Sequence, residues 1–85
     1  MDEYEIAQRA SSLPGRFADR LPANTRKIIG LMDEGGEYGE LVTELTDALA
    51  EYQPPVTVAE RDELLALLKA VDAPTDPIEE LNVQG

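Results

Sequence analysis

Glu37, Glu40, Glu44, Asp47 and Glu51 recur at spacings of three, four, three and four residues. On a helix this spacing gathers all five carboxylates within an arc of about 80°. Asp33 and Glu34 stand just ahead of them. Clustered carboxylates can work as an acid–base pair, hold a hard cation, or present a negative field to a basic surface. Acids are so numerous here that no single pair is marked out for acid–base work. The chain has no His and no Cys, which removes the usual general base and the soft metal ligands. Asp33-Glu34-Gly35-Gly36-Glu37 lacks the alternating ligands and the twelfth-position Glu of a calcium loop. The only serines, Ser11 and Ser12, follow Ala10 rather than the Asp of a phosphopantetheine attachment site. No phosphate loop, zinc-protease or nucleophile-elbow motif is present. The expectation is a protein that is not an enzyme and carries no cofactor or metal.

The third use of the carboxylates remains. No Lys or Arg lies between residues 28 and 60, so the acidic row has no local counter-charge. Each like-charge neighbour pair on an isolated helix costs about 0.2–0.5 kcal/mol, so four pairs cost about 1–2 kcal/mol. The helix dipole offsets this for Glu37 and Glu40 at the N-terminus and worsens it for Glu51 at the other end. Three readings follow: a solvated face, internal pairing with Arg9, Arg16, Arg20, Arg26 or Lys27, or a docking surface for a basic partner.

The balance of charge suits such a partner, or simply keeps a small protein soluble. The 85 residues carry a formal charge of -11. Residues 1–29 hold five bases against four acids, whereas residues 30–85 hold only Arg61 and Lys69 against fourteen acids. That field opposes binding to nucleic acid or to an anionic membrane and steers a basic protein inward. No apolar run approaches the roughly 18 residues of a membrane span. The opening Met1-Asp2-Glu3-Tyr4-Glu5 is acidic, unlike a secretory signal. Together with the absence of Cys, this leads us to expect a cytoplasmic protein.

The elements that must position these residues are helical. The length fits one domain, residues 1–85, with a modest core. Ile6, Ala10, Leu13, Phe17 and Leu21 mark a first helical segment over residues 2–21, interrupted at Pro14-Gly15 and a candidate for a separate unit. Ser11 or Ser12 is placed to cap its second piece. Pro22 suits a first helical turn, followed by an apolar stripe of Thr25, Ile28, Ile29 and Met32 that stops at Gly35-Gly36. The strongest amphipathic pattern spans residues 37–52, with Tyr38, Leu41, Val42, Leu45, Ala48, Leu49 and Tyr52 on one side. Both tyrosines are expected in the core. Pro54-Pro55 ends that helix, and Thr57 with Glu60 forms a capping box for the next, which carries Leu64, Leu67, Leu68 and Val71. Val56-Thr57-Val58 is too short for a strand, a last turn can start at Thr75-Asp76-Pro77-Ile78, and residues 82–85 read as a loose tail. The fold class predicted is all-α, a small bundle of four to five short helices.

The stretch from Pro22 to Asp72 resembles the MafI-type immunity proteins of bacterial polymorphic toxin systems. Its pattern runs from Leu31-Met32-Asp33-Glu34-Gly35-Gly36-Glu37 through Glu40-Leu41 to Glu44-Leu45-Thr46-Asp47-Ala48-Leu49-Ala50-Glu51. A Pro-containing linker, Val56-Thr57 before Glu60 and a Leu-rich helix complete it. The chain departs at Thr46, where the family often has Cys, and residues 1–21 have no counterpart. The resemblance implies a protein that binds a cognate toxin, commonly a nuclease, and blocks it. Asp33, Glu34, Glu37, Glu40, Glu44, Asp47 and Glu51 would then be the partner-binding residues. An acidic adaptor with a non-toxin partner is the alternative, and the oligomeric state is left open.

Overall fold

A computed structural model describes residues 1–84. It is an all-α bundle: α1 (Glu3–Ser11), α2 (Leu13–Phe17), α3 (Ala23–Glu34), α4 (Tyr38–Tyr52) and α5 (Val58–Ala70). Single 3-10 turns follow α2 at Ala18–Arg20 and α5 at Asp76–Glu80. No helix is long and apolar enough to cross a membrane among the described residues.

The helix ends follow local chemistry. Asp2 caps α1 by accepting a hydrogen bond from the Glu5 amide. The first segment breaks at Ser12, two residues before Pro14. Pro14 has no N–H to offer the Ala10 carbonyl, and the Ser12 amide bonds that carbonyl instead. Ser12 stands at the cap position of α2 without capping it, because its hydroxyl donates back to the Arg9 carbonyl. Pro22 lies one residue outside α3 rather than within its first turn.

α3 closes in a paired-bond turn: the Glu37 amide donates to the Met32 carbonyl and the Gly36 amide to the Asp33 carbonyl. Gly36, at φ 70°, supplies the left-handed residue that this turn needs. α5 ends the same way, with Asp72 at φ 61° and bonds from the Asp72 and Ala73 amides to the Lys69 and Leu68 carbonyls. Its start is the expected capping box, with Thr57 and Glu60 bonded reciprocally at 2.9 and 3.0 Å.

α4 is the central element and packs against α1, α3, α5 and the C-terminal turn. Leu41, Val42, Leu45, Thr46, Ala48 and Leu49 are all buried. Thr46 widens the buried arc of this helix to about 160°. Its hydroxyl is satisfied by donating to the Val42 carbonyl at 2.7 Å. Ala10, Leu13, Phe17 and Leu21 join the same core, so residues 1–21 are integral to it rather than a separate unit. Tyr38 packs against the core, but Tyr52 is half exposed, which corrects the expectation that both are internal. Tyr52 is the last helical residue, where the bundle no longer covers the apolar side.

Residues 82–84 are not loose. Val56 and Val83 form an isolated parallel bridge, with the Val56 amide bonded to the Asn82 carbonyl and the Gln84 amide to the Val56 carbonyl. The Asn82 side chain also donates to the Gln53 carbonyl. The α4–α5 linker leaves these backbone groups unpaired, and the tail satisfies them. Gly85, also part of the expected tail, lies outside the described residues.

Candidate functional site

The seven candidate carboxylates occupy one continuous ridge. Asp33 and Glu34 are in the last turn of α3, Glu37 is in the connecting turn, and Glu40, Glu44, Asp47 and Glu51 project from α4. All are exposed except Asp33 and Glu44, which are half-buried. The opposite side of α4 is occupied by core, so packing forces the acidic side outward.

None of the seven forms a salt bridge among the described residues. The bases named for internal pairing are used elsewhere or stand apart. Arg9 bonds Glu5 and Glu63. Arg20 makes a two-pronged contact with Glu60 at 2.8 Å per bond. Arg26 donates to the Ala18 carbonyl. Arg16 and Lys27 reach no carboxylate of the ridge within salt-bridge distance. The internal-pairing reading is therefore replaced by an uncompensated ridge.

Glu37 and Glu40 interact locally. A side-chain hydrogen bond between them, and then the repulsion of the two charges, push the Glu37 pKa up from the ordinary carboxylate value. Across the molecule the opposite holds: hydrogen bonds from Arg20 bring Glu60 down to about 2, and those from Arg9 lower Glu63. Among the described residues no three carboxylates converge closely enough to hold a metal ion.

Sequence reading did not find a groove that runs beside the ridge. One part, of about 320 Å³, lies between α4 and the end of α5 and includes Gly39, Glu40, Glu44, Val71 and Asp72. A second part, of about 400 Å³, continues past Gly39 and Val71 to Ile6 and Tyr38. The signal for the groove is faint in one dimension: a Gly within an otherwise bulky helix, and an Asp before Ala73-Pro74 that turns the chain away.

No family model, curated protein or solved structure matches this chain.

Proposed function

We propose that this protein is an immunity protein that binds a basic bacterial toxin domain, a nuclease, and neutralises it through the ridge formed by Asp33, Glu34, Glu37, Glu40, Glu44, Asp47 and Glu51. The observation that carries the reading is the lack of any salt-bridge partner for these seven acids among the described residues, in a fold that pairs Arg9 and Arg20 on another face. The unpaired row costs stability in the free protein and gains attraction only when a cation arrives. A nuclease must attract a polyanion, so the rim of its active site is basic. A negative ridge both speeds the encounter and covers that rim.

The test begins with capture from the source cells at low and high salt. A single basic partner with nuclease activity, released by salt and inhibited by the bound protein, is expected. Reversing Glu40, Glu44 and Asp47 to Lys should then slow association by an order of magnitude or more, the scale of electrostatic steering. A partner without toxin activity, or one bound equally well by the triple variant, sinks the reading.

A second reading is an adaptor that meets a non-toxin partner through apolar surface. Ile28 and Leu31, 38% and 59% exposed and three residues apart on α3, favour it. Two side chains fall well short of the ~800 Å² per partner of a stable interface, which places it second.

A further inference from the structure

The groove between α4 and the end of α5 joins an apolar floor to a charged rim. Its floor is Gly39, Val71 and Ala73, and its rim carries the side chains of Glu40, Glu44 and Asp72. Gly39 keeps the floor open: a Cβ there would sit 3.6 Å from the Val71 Cβ, in ordinary contact, and a longer side chain would extend into the space. Thr43 also lines the groove, but its hydroxyl is committed to the Gly39 carbonyl at 2.9 Å. The three rim carboxylates have no salt-bridge partner among the described residues.

These features fit one kind of occupant. The space is too small and open for a helix, and its floor is too apolar for a hydrated ion. A long side chain with an aliphatic stem and a cationic head matches both parts. Glu40 and Glu44 are one helical turn apart, which places their carboxylates within reach of a single planar head. A guanidinium has five donors in a fixed fork and is less strongly hydrated than an ammonium, so it bridges two carboxylates better than lysine does. We propose that this groove is the anchor pocket for an arginine side chain projecting from the basic partner, its stem on Val71 and Ala73 and its guanidinium between Glu40 and Glu44, with Asp72 opposite. The proposal rests on the docking reading of the ridge and adds to it a defined point of insertion.

The test is an amide-resolved NMR titration of the full chain with n-propylguanidinium, the arginine side chain in isolation, and with guanidinium. n-Propylguanidinium is expected to shift Gly39, Thr43, Val71 and Ala73 in a saturable way, about tenfold more tightly than guanidinium. Tenfold corresponds to ~1.4 kcal/mol, the contribution of two buried methylenes. Gly39→Leu should erase that tenfold preference, and Glu44→Gln, which leaves the groove open, should weaken both ligands. Equal affinities, shifts centred elsewhere, or a preference that survives Gly39→Leu in a folded variant overturns the pocket. A parallel titration uses acetyl-(Lys-Gly)4-amide, a basic peptide with no guanidinium. If it shifts Asp47 and Glu51 while n-propylguanidinium shows no preference, the pocket is overturned and the docking ridge stands. If it leaves those residues unmoved and n-propylguanidinium shows no preference, the ridge fails and the pocket with it; if the preference persists, the pocket stands and the ridge alone fails.

Discussion

The face where the N-terminal segment meets α5 and the ridge along α3 and α4 are both rich in charge, yet they use it in opposite ways. On the first, Arg9 joins Glu5 to Glu63, and Arg20 grips Glu60 while its guanidinium lies over the Phe17 ring at 4.4 Å. Each of these charges has a partner in the fold, and the pKa values of Glu60 and Glu63 fall. On the ridge no acid has one, and the value for Glu37 rises. The contrast separates charge that supports folding from charge left over for something else. A chain whose acidity served only solubility could have scattered its acids. Here Glu40, Glu44, Asp47 and Glu51 all share the side of α4 turned away from the core.

Several substitutions can break or sharpen that contrast. The largest effect is expected beneath the paired face. Phe17 is fully buried and also supports Arg20, so Phe17→Ala should cost about 3–5 kcal/mol in urea denaturation. A loss below ~1 kcal/mol would mean that the N-terminal segment is not integral to the core. Next comes Glu60→Ala, which removes one arm of the capping box and the contact with Arg20 together. About 2 kcal/mol is expected, ~1 from the cap and the rest from a partly exposed ion pair. Rescue by Glu60→Gln should be partial, because Gln can still reach the Thr57 amide but carries no charge.

The ridge should respond with the opposite sign. Neutralising Glu44, Asp47 and Glu51 to Gln, Asn and Gln removes three like-charge neighbour relations, and the free protein should gain about 1 kcal/mol. The same variant should bind a basic partner more slowly. A loss of stability instead would show that these acids have a structural role.

Acid provides the finest comparison. Glu60 and Glu63 have folded pKa values below their unfolded ones, so the stability they contribute is present above the ordinary carboxylate range and is lost as pH falls through the folded values, about 2 for Glu60. Glu37 has a raised value, so its ionisation opposes folding; its contribution is favourable below the unfolded pKa and is lost as pH rises through the folded one. Carboxyl-carbon NMR titration should therefore find Glu37 above, and Glu60 and Glu63 below, the ordinary Glu value. Midpoints that coincide would remove the distinction between the two faces.

Much of this organisation was legible in the sequence. The capping box at Thr57 and Glu60, the stop at Gly35-Gly36 and the two-sided character of α4 rest on local chemistry, and each appears where spacing places it. The ridge was legible for the same reason, since Glu40, Glu44, Asp47 and Glu51 at spacings of four, three and four must share a side of α4, with Glu37 at its cap. What spacing does not reveal is which distant groups meet. That Arg9 finds Glu63, that Tyr52 outruns the bundle and that Val71 faces Gly39 depend on how helices dock. The tail was misread because a lone backbone bridge needs no pattern of side chains, only exposed N–H and carbonyl groups at the right place.

That bridge between Val56 and Val83 also sets a load path. A tether attached beyond residue 84 would pull first on two backbone bonds at the α4–α5 linker, not on the packed helices. Both bonds are made by one residue, Val56, whose amide donates to the Asn82 carbonyl and whose carbonyl accepts from the Gln84 amide, so tension along the tail reaches the linker through that residue. The clasp would act as a mechanical fuse, letting go while α4 keeps its ridge in shape.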